Sequence, residues 1–388
     1  MKLSVKKMRT KQERNFIDNG GRMLEEFISS CGGRVNPIRM YSAAELEKAI
    51  GNTNPLWKYT YGDGNYYKGT YLGRTILIKK FNLNSDRTSW QRDLIFNEMT
   101  VLSQMRHKNV VKLLGCCLET ELPMLVFEFV SNGSLVQYID DADLSGPRRR
   151  ISWEDRLRIA TEVADALTYM HTATAKPIVL MDLQPSNILL NENYSAKVIE
   201  FGLAMSIPLG EEILTVDRIQ GTNGYCSPEY AIGGQVSEKC DVYCFGHLLL
   251  ELLTGKRSRF LTSTTVANVD LAISFIEDKL LRLELDAGNW SKGKTDQLLA
   301  FAVLASRCLK RDGEERPTMK EVVQELRRII RSSLETRNTT ETENVSMVEV
   351  HQELRRISRY LYEAMFMTET ERHSDVSDLS DVRDFSLR

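Results

Sequence analysis

Apolar residues recur at helical spacing near the start of the chain. Phe16, Ile17, Met23, Leu24, Phe27 and Ile28 predict a helix over Glu13 to Ser30, which Gly32-Gly33 ends. Val35 to Tyr41 follows, extended by Pro37 and unusually apolar for a connector. It either packs on the domain or offers a partner a strip made of Val35, Pro37, Ile38, Met40 and Tyr41. Ser42 and Glu45 are spaced as a capping box for a short helix through Ile50. Apolar and polar residues then alternate as in a strand from Gly73 to Phe81. Helical periodicity returns over Gln91 to Gln104, with Phe96, Met99, Leu102 and Met105 inward. His107–Glu119 and Met124–Val130 read as two more strands, and another helix begins near Trp153.

Past Arg331 the composition shifts to Ser, Thr and Glu, so 332–346 reads as a flexible linker. Val348, Leu354, Ile357, Leu361, Ala364 and Met365 then make an amphipathic helix ringed by Arg355, Arg356 and Arg359. It suits the folded body, a partner helix or a membrane surface. Ser374 to Arg388 repeats Asp and Ser and reads as disordered. The first fourteen residues are basic, either a solvated tail or a weak membrane-surface patch. The formal net charge of −2 gives no global reason to expect nucleic-acid binding. Seven cysteines without a Cys-x-x-Cys pair predict cytosolic thiols. No apolar run is long enough to span a membrane and no cleavable leader opens the chain, so a cytoplasmic location is expected.

The residues that carry chemistry lie between 177 and 204. Leu180-Met181-Asp182 with Asn187, followed by Glu200-Phe201-Gly202, resembles the catalytic loop and metal switch of a protein kinase. Asp182 stands at the base and Asn187 at a magnesium ligand. Gln184 replaces the lysine whose charge neutralises the transferring phosphoryl group, a loss of transition-state electrostatics. Glu200 keeps the carboxylate of the metal-binding Asp but lengthens it by a methylene, and magnesium tolerates little displacement. Lys79 matches the lysine that pairs the nucleotide phosphates, Glu98 its helical partner, and Phe127 the gatekeeper. Alignment back from Tyr67-Lys68-Gly69 puts Tyr59, Tyr61 and Gly64 at the three glycines of the phosphate loop. Tyr59 and Tyr61 should obstruct the phosphates or fill the pocket, unless the register slips to use Gly62.

Together these residues predict an α+β, bilobal kinase-like fold over 57–331. A small, mostly antiparallel β lobe with one helix covers about 57–128, and a large, mainly helical lobe covers 129–331. Residues 1–56 form an N-terminal extension and 332–388 a tail. Asp241, Glu229 and Arg316 match residues that hold the large lobe together. Met181 replaces the arginine that clamps a phosphorylated activation segment, so phosphate should not order Glu200–Glu229 in the usual way. Ser206, Thr215 and Thr222 remain as candidates for modification.

Gly115-Cys116-Cys117-Leu118-Glu119 and Leu125–Phe129 resemble plant receptor-like kinases related to wall-associated kinases. With Phe16–Gly20 and Pro37-Ile38-Arg39, they also resemble the receptor-like cytoplasmic pseudokinases of subfamily XII, the family related to the HopZ-effector-triggered-immunity-deficient pseudokinase. That resemblance implies an adaptor on the leucine-rich repeats of a coiled-coil NLR receptor. It would recognise a bacterial effector, notably a YopJ-type acetyltransferase, or a host kinase that an effector has modified. No cofactor is then required, with Mg-ATP at most weakly held, and the adaptor would reach the inner face of the plasma membrane within a receptor complex. The alternative is a slow Ser/Thr kinase using Lys79, Asp182, Asn187 and Glu200.

Overall fold

The computed structural model describes residues 10–31, 36–58, 64–83, 88–139, 151–222, 224–255 and 292–338. Val35, Tyr59, Tyr61, Gly62 and the amphipathic segment 347–367 lie outside them. The chain opens with α1 (Lys11–Cys31), β1 (Arg39–Met40) and α2 (Ala43–Ile50), then β2 (Trp57–Lys58), β3 (Gly64–Tyr71) and β4 (Arg74–Phe81). Helix α3 (Thr88–Ser103), β5 (Leu113–Cys117) and β6 (Met124–Glu128) complete the small lobe.

Its sheet has six strands in the order β1-β5-β6-β4-β3-β2, antiparallel except where β1 joins β5 in parallel. The connector read as an apolar strip is therefore partly a strand. Tyr41 is buried and Ile38 half-buried, whereas Pro37 and Met40 stay exposed. Glycine at 115 permits this join, because a Cβ there would lie 2.0 Å from the Arg39 carbonyl oxygen. The Ser42–Glu45 capping box forms as expected. Glu45 also accepts the Tyr71 hydroxyl at 2.7 Å, which ties α2 to β3.

Helix α1 lies along α3. Arg22 pairs with Asp93 at 2.5 Å and covers the Phe96 ring, and Asn19 donates to the carbonyls of Leu118 and Thr120. Its buried Phe27 joins the main core, while Ile17, Leu24 and Ile28 face outward. α3 runs from Thr88, slightly ahead of the helix predicted over Gln91–Gln104.

The large lobe contains α4 (Val136–Ile139), α5 (Trp153–Thr172), β7 (Ile178–Val179), β8 (Ile188–Leu190), β9 (Ala196–Val198), β10 (Met205–Ser206) and β11 (Leu214–Thr215). Then come α6 (Pro228–Gly233), β12 (Gln235–Val236), α7 (Glu238–Thr254), α8 (Lys292–Cys308) and α9 (Met319–Asn338). The pairs β7·β10, β8·β9 and β11·β12 are antiparallel ribbons. Asp241 accepts the amides of Leu180 and Met181 at 2.8 and 3.0 Å. Arg316 holds Glu229 through both oxygens at 2.7 and 2.8 Å and also donates to three carbonyls, so this buried cation is fully paired. The expected linker from 332 is corrected here, because α9 continues to Asn338. The change in composition past Arg331 did not interrupt the helix.

Gly115→Ala should cost about 1–3 kcal/mol by forcing β1 off β5. Gly21→Ala, on a helical face with nothing near its Cβ, should be neutral or stabilise by up to about 1 kcal/mol. Urea unfolding of the two variants checks the contrast.

Candidate functional site in the interlobe cleft

The pairing of β3 with β4 sets Tyr66 directly opposite Lys79. Both side chains point into the cleft and are fully buried. Lys79 Nζ lies 2.6 Å from Glu98 on α3 and 2.7 Å from Glu200 at the head of the activation segment. The second Glu200 oxygen accepts the Tyr66 hydroxyl. The Tyr66 ring sits 5.6 Å from the ammonium and 6.5 Å from the Phe127 ring. Lys79 and Glu98 thus pair as the sequence reading expects, and Glu200 and Phe127 join them around a tyrosine it did not single out.

Among the described residues Tyr66 brings an aromatic ring into the cleft; Tyr59 and Tyr61, expected to obstruct it, lie outside the described residues. Gly64 begins β3 and pairs with Phe81. The strand's alternation, with Tyr66 inward and Tyr67 outward, was the available signal.

Charge in this cluster is finely set. Burial pushes Lys79 down, but the charges of Glu200 and Glu98 outweigh it and hold the ammonium above its ordinary range. Burial raises Glu200 to about 7, against the pull of Lys79 and with repulsion from Glu98 adding to the rise. One cation between two carboxylates leaves an excess negative charge that a proton on Glu200 relieves.

The catalytic-loop residues form a second cluster. Thr222 donates its hydroxyl to Asp182 at 2.6 Å, Gln184 donates to both Thr222 and Asp182, and Asn187 donates to the Asp182 carboxylate at 2.8 Å. Burial raises the Asp182 pKa, with the bonds from Thr222, Gln184 and Asn187 opposing it. Gln184 thus bridges the loop and the segment as a neutral donor. Thr222 is half-buried and engaged, whereas Ser206 and Thr215 are exposed. Asn97, which sequence reasoning passed over, holds the Glu200-Phe201-Gly202 turn to α3 by donating to the carbonyls of Gly202 and Ala204, each at 2.8 Å.

The protein kinase domain family matches residues 62–326, and the chain belongs to that family. It is 39% identical over 347 residues to wall-associated receptor kinase-like 1 of Arabidopsis thaliana, covering 88% of this chain and 46% of that protein. It is 40% identical over 326 residues to wall-associated receptor kinase-like 4 of the same plant, covering 82% and 41%. The kinase domain is of the plant receptor-like type, and the chain spans less than half the length of these curated relatives. Among the described residues no helix is long and apolar enough to cross a membrane.

The raised Glu200 pKa predicts a pH dependence. The fold binds this proton more tightly than the unfolded chain, so its stabilising contribution is complete below the ordinary carboxylate range and is lost as pH rises through about 7. His247, lowered to about 3 by burial, works in the opposite direction below neutrality. The unfolding free energy of the wild type minus that of Glu200→Gln isolates the first effect and should fall as pH rises from 4.5 to about 7, then level off.

Proposed function

We propose that this chain is a catalytically impaired member of the kinase family that works as an adaptor. The observation that carries the reading is Tyr66 lying buried between Phe127, Lys79 and Glu200, where a nucleotide and its metal would have to sit. One Glu200 oxygen is engaged by Tyr66 and the other by Lys79, while the Asn187 amide donates to Asp182. These residues do not fit a magnesium-bound nucleotide in this arrangement. The substitutions at Gln184, Glu200 and Met181 fall on chemistry and regulation, while Asp241, Glu229 and Arg316 keep the scaffold.

The fuller reading is a subfamily XII receptor-like cytoplasmic pseudokinase that binds the leucine-rich repeats of a coiled-coil NLR receptor. It would report a bacterial effector, such as a YopJ-type acetyltransferase, or a host kinase that an effector has altered. Exposed Pro37 and Met40, on the outer edge of the sheet, suit the receptor contact. Exposed Ser206 and Thr215 suit the modified face better than Thr222, whose hydroxyl is engaged with Asp182. A slow Ser/Thr kinase is the second reading, favoured by the intact 2.6 Å Lys79–Glu98 pair.

Millimolar Mg-ATP should leave the wild-type melting temperature unchanged and raise that of Tyr66→Val, in which the ring is removed. Labelled Mg-ATP should transfer no more phosphate with the wild type than with Asp182→Asn, and Asp182-dependent label would establish the kinase reading instead. For the adaptor role, Met40→Asp should reduce co-purification with the receptor's leucine-rich-repeat domain at least tenfold. Undiminished capture would remove Met40 from the contact.

A further inference from the structure

Helices α8 and α9 leave a groove of about 450 Å³ between them on the large lobe. Its floor is apolar, made of buried Leu304, half-buried Ala300 and Val303, which is 39% exposed. Arg307 of α8 and the 2.6 Å Glu325–Arg328 pair of α9 line its sides. At one end Gln297 donates to the Ile329 carbonyl at 2.7 Å and fixes the two helices against each other. Two packed helices with an apolar furrow between them offer the seat that a third helix takes in a bundle.

The chain carries such a helix close by in sequence. α9 ends at Asn338, and beyond it Met347, Val350, Leu354, Ile357, Leu361 and Ala364 recur in alternating steps of three and four. That spacing is a coiled-coil seam, which faces other helices. Arg355, Arg356 and Arg359 fall outside the seam. Residues 339–346 separate it from α9, and connections of about 2–8 residues join neighbouring helices in bundles. At a rise of about 1.5 Å per residue, a helix running back from Met347 beside α9 brings Ile357 level with Arg328 and Leu361 level with Gln324. The groove opens at those levels, beside Glu325 and Arg328.

We propose that residues 347–365 dock antiparallel to α9 as a third helix in this groove, with Ile357 and Leu361 seated over Ala300 and Val303. The occupant is a segment of the same chain because the connection is short. A short tether holds it at an effective concentration in the millimolar range, which a second copy or a separate helix in solution would have to exceed. Covering Val303 and the seam removes apolar surface from water on both sides of the contact. The three arginines then face away from the groove. The tail beyond α9 is thereby a built part of the large lobe, whether or not the cleft takes a nucleotide and whichever partner the small lobe meets.

The test is amide hydrogen exchange on the full chain at two protein concentrations about thirtyfold apart. Amides of 350–365 should exchange at least about tenfold more slowly than those of 374–388, equally in both samples. Val303→Asp, which puts a charge on the groove floor, and Leu361→Asp, which puts one on the seam, should each speed exchange of 350–365 by about tenfold or more. α3 and α5 should keep their protection in both variants, and Arg356→Ala, off the seam, should leave 350–365 unchanged. Should Val303→Asp fail to fold, Val303→Ser supplies a milder form of the same comparison. Protection of 350–365 that is absent, that falls on dilution as pairing with a second copy requires, or that survives substitution at Val303 would overturn the proposal.

Discussion

A buried ammonium shared by two carboxylates, with a phenol on one of them, is the constraint around which both lobes are arranged. Lys79 comes from β4, Glu98 from α3, Glu200 from the activation segment and Tyr66 from β3. None of the three ionisable groups, Lys79, Glu98 and Glu200, tolerates charged burial alone, because an uncompensated charge in the interior costs several kcal/mol. Each therefore requires the others, and the cleft closes over the group. The cluster joins the lobes through bonds that a bound ligand would otherwise compete for.

The same logic extends outward. α3 must be held against the sheet for Glu98 to reach Lys79, and α1 packs along it through Arg22, with Asn19 tied to the carbonyls after β5. Asn97 fixes the turn that follows Glu200. Below the cleft, Met181 lies buried with Leu203 and Ile207 of the activation segment in an apolar cluster.

On the proposed reading, chemistry and scaffold part company in this kinase domain. The groups that secure the large lobe, Asp241 on the loop amides and Arg316 on Glu229, make full sets of bonds with good geometry. The groups that would act on a phosphoryl donor are turned toward one another: Gln184 and Asn187 toward Asp182, and Lys79 toward Glu200. A fold kept rigid in this way is suited to presenting surfaces, and hydrophobic residues left outward on α1 and at Leu209, Ile213 and Ile232 lie on such surfaces.

The order of Lys79, Glu98, Asp182, Asn187 and Phe201-Gly202 was enough to define the fold and to nominate candidate site residues, because each role demands a particular chemistry at a particular place along the chain. The capping box at Ser42 and the helices at α1, α3 and α5 were equally legible, since local hydrogen bonding and periodicity specify them. Tyr66 was not, as a tyrosine in an alternating strand looks like any other until cross-strand pairing sets it against Lys79. Met181 could be read as the loss of an arginine, but not as the centre of a cluster whose members come from five separate stretches of sequence. Sequence alone determines which groups are available and how each short segment folds. Only tertiary structure decides which of them share a low-dielectric interior, as Tyr66, Lys79, Glu98 and Glu200 do in this cleft.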